Sequence, residues 1–204
     1  MISQAHEYVR RQVGPAVILL AAVIGCMQVG CMSAERAAEI ETAAAERSPL
    51  AGKPAPDFAL PNQDRETVTL QAQKGRWVVL YFYPADGTPG CTCQAQEFTK
   101  SHAQFQRLSA EVFGVSPDSV ASHKNVVEKY NLKVDLLADP DQHVMEAYGA
   151  SARTPFGRRV IRSTALIDPA GNIAYHWPEV IPLGHADRVR AKLDEIRAKG
   201  SVGR

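Results

Sequence analysis

The chain has 204 residues and a formal net charge of +1, with 45% hydrophobic and 22% charged residues. This length and apolar content are sufficient for one domain with a buried core, together with additional segments. The near-zero net charge gives no electrostatic support for nucleic-acid binding, and the sequence has no Gly-rich phosphate-binding loop of the Walker or dinucleotide type.

Residues 1–32 are typical of an export signal or a membrane anchor. Arg10 and Arg11 precede an uncharged stretch, 13–24, rich in Val, Ile, Leu and Ala, which is the order of regions in a secretory signal. The segment Val-Ile-Gly-Cys that ends at Cys26 resembles a bacterial lipobox, which implies cleavage before Cys26 and its lipidation. The alternative is an uncleaved anchor, since the uncharged stretch approaches the ~20 residues that span a bilayer. Both predict an exported protein attached to the membrane on its periplasmic side.

Residues 33–51 are rich in Ala and Glu and contain few large apolar side chains. This composition predicts a partly helical linker between the membrane attachment and the folded domain. The domain itself is expected to span residues 52–204.

Hydrophobic periodicity, turn residues and helix caps predict the elements of the domain. In chain order they are a hairpin (58–60 and 67–70), a strand buried on both faces (77–83), a helix (93–108), a strand (112–115), a helix (119–130), a strand (136–138), a short helix ending near 148, a loop (153–159), a hairpin (160–168 and 173–176) and a last helix (185–199). This order predicts an α/β fold of the thioredoxin-like type, with a central mixed β-sheet flanked by helices.

The buried strand 77–83 leads into a Pro- and Gly-rich turn that carries Cys91 and Cys93, two of the four cysteines. The next residues favour helix, so these cysteines lie near a helix N-terminus. Unpaired N–H groups and a partial positive charge at that position favour the thiolate over the thiol. The turn therefore indicates a reactive cysteine.

Four residues in or near the turn suit such a thiolate. Thr88 can hydrogen-bond the sulfur or a bound oxygen atom, and Pro84 and Pro89 fix the turn and shield the thiol from water. The missing cation is assigned to Arg162, because a charge inside the apolar strand 160–168 needs a partner.

The string Pro84-Ala-Asp-Gly-Thr88-Pro-Gly-Cys91 matches the peroxiredoxin pattern of a proline, three residues, a threonine, two residues and a cysteine. With Phe82-Tyr83 before it and the string Arg162-Ser-Thr-Ala-Leu-Ile-Asp downstream, it resembles the Q-type subgroup, also called bacterioferritin comigratory proteins. The resemblance covers about residues 52–200. It implies a thioredoxin-like (peroxiredoxin) fold and a thiol-dependent peroxidase that reduces hydrogen peroxide and organic hydroperoxides without a metal or organic cofactor.

By this resemblance Cys91 is the peroxidatic cysteine, Thr88 and Arg162 activate it, and Pro84 shields its pocket. The thiolate would attack a peroxide oxygen, release water or an alcohol, and become a sulfenic acid. A thioredoxin-like protein or a low-molecular-weight thiol would then restore it. Monomer and homodimer both remain open.

The sequence departs from the Q-type pattern at the resolving cysteine. Many members carry it five residues after the peroxidatic cysteine, where this chain has Gln96, and the helix 119–130, its other usual place, has no cysteine either. Cys93 is one substitute, although a disulfide to a residue two positions away would be strained. Cys31 is another, because the linker of ~20 residues between it and Lys53, if flexible, would reach about 25 Å. An external thiol is the third alternative.

Two other functions would use the same cysteines. A thiol–disulfide oxidoreductase would employ both Cys91 and Cys93. A non-enzymatic copper or zinc carrier would bind metal through them, but it lacks a third ligand nearby in sequence and gives Arg162 no purpose. The five histidines after residue 100 show no metal-ligand spacing, so no metal site is predicted.

Overall fold

The computed structural model describes residues 34–155 and 157–202. The elements in these ranges are α1 (Ala34–Ala45), β1 (Ala59–Pro61), β2 (Thr67–Thr69), a 3₁₀ turn (Gln71–Gln73), β3 (Trp77–Phe82), α2 (Pro89–Arg107), β4 (Ala110–Ser116), α3 (Val120–Tyr130), β5 (Asp135–Ala138), α4 (His143–Ala147), β6 (Ser151–Thr154), β7 (Gly157–Val160), β8 (Ser163–Ile167), β9 (Ile173–Trp177) and α5 (His185–Val202). No helix among them is long and apolar enough to cross a membrane. The predicted signal, Cys26 and Cys31 lie outside the described residues.

Five strands form the central sheet in the order β5-β4-β3-β8-β9. The strands β3, β4 and β5 are parallel, whereas β8 runs antiparallel to β3 and to β9. The prediction of a thioredoxin-like mixed sheet is therefore confirmed. Because β3 is parallel to β4 and antiparallel to β8, one edge of the sheet carries the ends of β3 and β4 and the start of β8. Phe82 pairs with Ser163 at that edge, so the cysteine turn and Arg162 meet there.

Alternate residues of β3 face two separate cores, as expected for a strand covered on both sides. Val79 and Tyr81 pack with apolar side chains of α2 and α5. Val78 and Leu80 pack on the opposite face with the β1–β2 hairpin and α4. The cysteine turn thus follows a strand that cannot shift without disturbing both cores.

The region 150–168 differs from its prediction in two respects. The expected loop is a β-hairpin, β6–β7, with Arg153 opposite Arg158. The expected strand 160–168 is divided, because the N–H of Ile161 donates to the carbonyl of Ala150 and joins the chain to the hairpin rather than to the central sheet. Arg162 therefore lies between β7 and β8 and not inside a strand.

The segment 33–51 also differs from the expected linker. Its helix α1 packs against the domain and buries Ala37, Glu41 and Ala45. Ser48 continues the contact through a 2.7 Å hydrogen bond between its Oγ and Nδ1 of His176 in β9. Sequence patterning gave no sign of this face, because alanine is too small to mark a buried stripe. The packed unit accordingly begins at Ala34.

Candidate active site

The cysteine turn connects β3 to α2. Gly87 has φ +69°, a conformation that favours glycine. Thr88 is the N-cap residue of α2, with extended backbone, and Pro89 is the first helical residue, a position that suits proline because no N–H is needed there. The helix thus begins at Pro89 rather than at 93, and Cys91 lies within its first turn, where unpaired N–H groups and the helix dipole favour an anion.

Cys91 is buried, with 4% of its surface exposed, and it contacts a cation. Nη2 of Arg162 donates to its Sγ at 3.0 Å, and Nη1 of the same guanidinium donates to Oε1 of Gln94 at 2.6 Å. Gln94 is fully buried on α2, three residues after Cys91. One planar group therefore joins the sulfur to a fixed amide, which holds the charge beside the sulfur.

The other two predicted neighbours are close in sequence, but the structure gives them no bond to the sulfur. The hydroxyl of Thr88 donates to the carbonyl of Ala85 at 3.2 Å, so it stabilises the turn. Pro84 is exposed at the end of β3. A hydrogen bond from Thr88 to a bound peroxide and the shielding role of Pro84 stay predictions.

Cys93 has different surroundings from Cys91. Its Sγ lies 3.8 Å from Oε1 of Glu97, one helical turn along α2. Burial raises the pKa of the Cys93 thiol, and the neighbouring Glu97 carboxylate raises it further. The two cysteines therefore differ in their surroundings: Cys91 contacts the Arg162 cation, whereas Cys93 contacts the Glu97 carboxylate.

A buried polar cluster, which no sequence motif indicates, joins the turn to α3. Asp86 in the turn accepts hydrogen bonds from Nδ1 of His123 at 2.8 Å, the hydroxyl of Ser122 at 2.7 Å and the hydroxyl of Tyr83 at 2.8 Å. Burial by itself raises the pKa of Asp86, but these hydrogen bonds outweigh it and lower that pKa below its usual value. The only available signal was topological, since the turn after β3 and the helix after β4 start at the same sheet edge.

Within the described residues, no three His, Cys, Asp or Glu side chains lie close enough together to hold a metal ion. A small cleft opens beside Cys91 and is lined mainly by apolar atoms of Ala95, Val126 and Leu136. The site therefore combines a buried sulfur, an arginine and a narrow apolar cleft.

Comparison with known proteins agrees with this geometry. The sequence profile of the AhpC/TSA family matches residues 51–176. This chain belongs to that family, among the Bcp and Q-type peroxiredoxins. Putative peroxiredoxin bcp of Coxiella burnetii is 41% identical over 146 residues, which are 70% of this chain and 97% of the relative. Peroxiredoxin Bcp of Bacillus subtilis is 40% identical over 152 residues, with 72% and 97% coverage.

A solved structure of a relative shows the same fold. Bacterioferritin comigratory protein of Xanthomonas campestris, studied in trapped intermediate and ligand complexes for its alkyl peroxide reduction activity, is 34% identical. It matches 68% of this chain and 90% of its own with a TM-score of 0.64. Compared with the Q-type pattern, this peroxiredoxin has Gln96 at the usual place of the resolving cysteine. The helix α1 precedes the residues that match the family.

Proposed function

We propose that Cys91 is the peroxidatic cysteine of this peroxiredoxin. The observation that supports this most directly is the 3.0 Å contact between Nη2 of Arg162 and Sγ of Cys91 in the first turn of α2. A guanidinium and a helix N-terminus both stabilise negative charge on sulfur, which favours the nucleophilic thiolate form. Cys93 has neither form of support.

The reaction is a two-electron oxidation of the sulfur. The Cys91 thiolate attacks one oxygen of the hydroperoxide, the O–O bond breaks, and the second oxygen leaves as hydroxide or alkoxide and takes a proton to become water or an alcohol. Arg162 can stabilise the negative charge as it moves from sulfur to the leaving oxygen. The product on the protein is the Cys91 sulfenic acid.

An external thiol completes the cycle in this proposal. A first thiolate attacks the sulfenic sulfur, releases water and forms a mixed disulfide; a second thiol breaks that disulfide and regenerates Cys91. Cys93 is a poor resolving thiol because burial and Glu97 raise its pKa. A thioredoxin-like protein or a small thiol is the expected reductant.

Stopped-flow kinetics with wild type, Cys91→Ser and Cys93→Ser tests both assignments. We expect the first variant to lose at least about 100-fold in its rate with hydrogen peroxide, because the nucleophile is gone, and the second to react like wild type. After one equivalent of peroxide, mass spectrometry should find a dimedone adduct on Cys91. Peroxide consumption by Cys91→Ser would refute its role, and a 91–93 or 31–91 disulfide would refute resolution by an external thiol.

The substrates in this proposal include small alkyl hydroperoxides as well as hydrogen peroxide. The cleft beside Cys91 holds only about 10 Å³, and Ala95, Val126 and Leu136 line it with apolar atoms, so they offer contact to a small alkyl group near the sulfur. Alkyl peroxide reduction is also the activity for which the Xanthomonas relative was studied. Comparison of second-order rates for hydrogen peroxide and a small alkyl hydroperoxide, in wild type and in a Val126→Glu variant, tests this: the charge should slow only the alkyl substrate.

The alternative functions make opposite predictions for Cys93. A thiol–disulfide oxidoreductase using both cysteines would lose all turnover in Cys93→Ser, whereas the peroxidase keeps its peroxide reaction. A copper or zinc carrier would retain about one metal ion per chain after purification without chelator. Both measurements use the same purified variants.

We also propose that the protein is exported and attached to the membrane through lipid on Cys26. The support is the sequence alone: Arg10 and Arg11, the apolar stretch after them and the segment ending at Cys26. In a bacterial host, wild type should partition into detergent and Cys26→Ser should not mature. Membrane retention of an uncleaved Cys26→Ser protein would favour the anchor instead.

A further inference from the structure

The helix α1 places a buried carboxylate against α5. Glu41 is only 1% exposed, and Arg188 binds it through two hydrogen bonds, from Nε to Oε2 at 2.8 Å and from Nη2 to Oε1 at 2.7 Å. Nδ1 of the buried His185 lies 3.5 Å from Oε2. This bidentate pair anchors a segment that lies before the family match at residues 51–176.

The same pair holds part of the loop between β9 and α5. Oε1 of Glu41 accepts the backbone N–H of Ile181 at 2.8 Å. Arg188 donates to the carbonyl of Ile181 at 2.6 Å and to that of Leu183 at 2.8 Å. We call residues 180–184 the bridging segment. Its backbone is thus bound by both members of the ion pair.

The bridging segment is hydrogen-bonded to the active-site region at two points and lies near it at a third. The N–H of Val180 donates to the carbonyl of Arg162 at 2.9 Å. Cγ of Pro182 lies 3.6 Å from the position that a Cβ on Gly90 would occupy, next to Cys91. The N–H of Gly184 donates to Oε1 of Glu97 at 2.9 Å. The segment therefore contacts the residue that binds the sulfur and the helix that carries it.

We infer that α1 is part of the active-site framework and that Glu41 is a positioning residue, which acts through Arg188 and the bridging segment on the Arg162–Cys91 contact. This inference rests on the proposed role of Cys91. It assigns a task in the peroxidase to a helix that precedes the family domain.

The charge on Glu41 is maintained across the neutral pH range. Burial raises the pKa of its carboxyl, but the neighbouring His185 and Arg188 outweigh burial and lower that pKa to about 2. His185 itself has a lowered pKa because it is buried, although Glu41 opposes the shift. The ion pair is therefore between Glu41 and Arg188, with His185 as a neutral neighbour.

Substitution in the full chain tests the inference. Glu41→Gln places an amide NH₂ against the Arg188 guanidinium and loosens the bridging segment, so we expect about a tenfold fall in the rate of sulfenic acid formation, as small misplacements of catalytic groups produce. Glu41→Asp keeps the charge and should recover part of that loss. Glu39→Gln is the matched control, because Glu39 is exposed on the same helix, and it should react like wild type.

A second readout separates positioning from stability alone. In Glu41→Gln, alkylation of Cys91 by iodoacetamide, followed by peptide mass mapping, should be slower than in wild type, because Arg162 no longer stays beside the sulfur. Thermal melts of the same samples report the fold. A lower melting temperature with unchanged peroxide rate and unchanged alkylation rate would overturn the inference. If Cys91→Ser still consumed peroxide, the role of Cys91 would fail instead, independently of Glu41.

Discussion

Arg162 acts through the shape of its guanidinium as well as through its charge. Its Nη2 donates a hydrogen bond to Sγ of Cys91, and its Nη1 donates one to Oε1 of the buried Gln94. The amide fixes the plane of the guanidinium, so the nitrogen beside the sulfur cannot rotate away. A lysine ammonium offers a similar charge, but a flexible stem and a point-like head cannot reproduce this two-sided contact.

We therefore predict that Arg162→Lys lowers the second-order rate with hydrogen peroxide by about 10- to 100-fold although the charge is retained. Stopped-flow measurement under single-turnover conditions gives this rate. Arg159→Lys is the control, since Arg159 is exposed on the β6–β7 hairpin and should behave like wild type. A rate in Arg162→Lys within twofold of wild type would show that charge alone suffices.

At the residue scale the sequence predicted the central contact but not its supports. The prediction that Cys91 and Arg162 are partners rests on the need of a charge in an apolar strand for a counterpart. The structure shows the contact but places Arg162 before the strand, so the reason for the prediction is wrong. Gln94 belongs to no recognisable motif, and a glutamine in an amphipathic helix is predicted to lie on the surface. Asp86 and His123 lie 37 residues apart in sequence, and only the tertiary fold brings them together.

The turn between β3 and α2 is an element held in place by another element. Asp86 joins it to α3 through the fully buried His123, and the N–H of Asp86 donates to Oδ2 of Asp118 at 2.8 Å, just before that helix. Cys91 therefore lies in the first turn of a helix whose entry is fixed by buried hydrogen bonds. Removing Asp86 leaves the buried groups that donate to it without a partner, which is costly.

We predict that Asp86→Ala lowers the free energy of unfolding by about 3 kcal/mol and also slows the reaction of Cys91. Urea unfolding followed by circular dichroism measures the first effect. Asp141→Ala, at an exposed position after β5, is the control and should change stability by less than about 0.5 kcal/mol. Equal stability of the two variants would mean that the turn does not depend on its bond to α3.

The sheet has its own close contact at Gly114 in β4. A Cβ at this position would lie 2.5 Å from Cζ and Oη of the buried Tyr81 and 2.9 Å from Cδ2 of Leu136. The ring of Tyr81 stacks on Phe98 of α2 at a centroid distance of 4.7 Å. The glycine thus lets a tyrosine cross above β4 and pack beneath the helix that carries Cys91.

Gly114→Ala should consequently destabilise the protein by about 2 kcal/mol, or about 5 °C in melting temperature, because the ring and its neighbours must move. Differential scanning calorimetry measures the shift. Gly200→Ala in α5 is the matched control: nothing lies within 4 Å of its Cβ position, and alanine favours helix, so its melting temperature should not fall. A wild-type melting temperature for Gly114→Ala would contradict the packing described for Tyr81.

Elements with strong local signals were predicted well, and those defined by partners were not. The hairpin β8–β9 and the helix α3 with its Ser119 cap follow from turn and cap residues. The hairpin β6–β7 was missed because its strands are rich in arginine and polar residues. The sequence predicts a linker at α1 because the buried face of this helix consists of alanines and one glutamate, whose burial depends on Arg188 at a distance of 147 residues.

The molecule as a whole holds two histidines in a neutral state at the junction of its N-terminal segment and the domain. Burial lowers the pKa of His176 to about 4, and its ring bonds to Ser48. Burial likewise lowers the pKa of His185, which lies beside Glu41. Protons therefore bind the unfolded chain at these residues before they bind the folded one, and acid acts on the whole fold rather than on the site alone.

His176 makes the free energy of unfolding depend on pH. His176 takes up its proton near pH 6.5 when unfolded and near pH 4 when folded, so its contribution to stability is complete above pH 6.5 and is lost as the pH falls toward 4, with a slope approaching 1.4 kcal/mol per pH unit. In His176→Asn, which can still hydrogen-bond Ser48, that slope should decrease by up to about 1.4 kcal/mol per pH unit between pH 6 and 4.5, while the contribution of His185 remains. Urea unfolding of wild type and variant at half-unit pH steps measures the two slopes, with pH 8 as the reference at which both histidines are neutral. Parallel curves for the two proteins would show that His176 binds its proton at the same pH in the folded and unfolded states and that the junction does not sense acid through it.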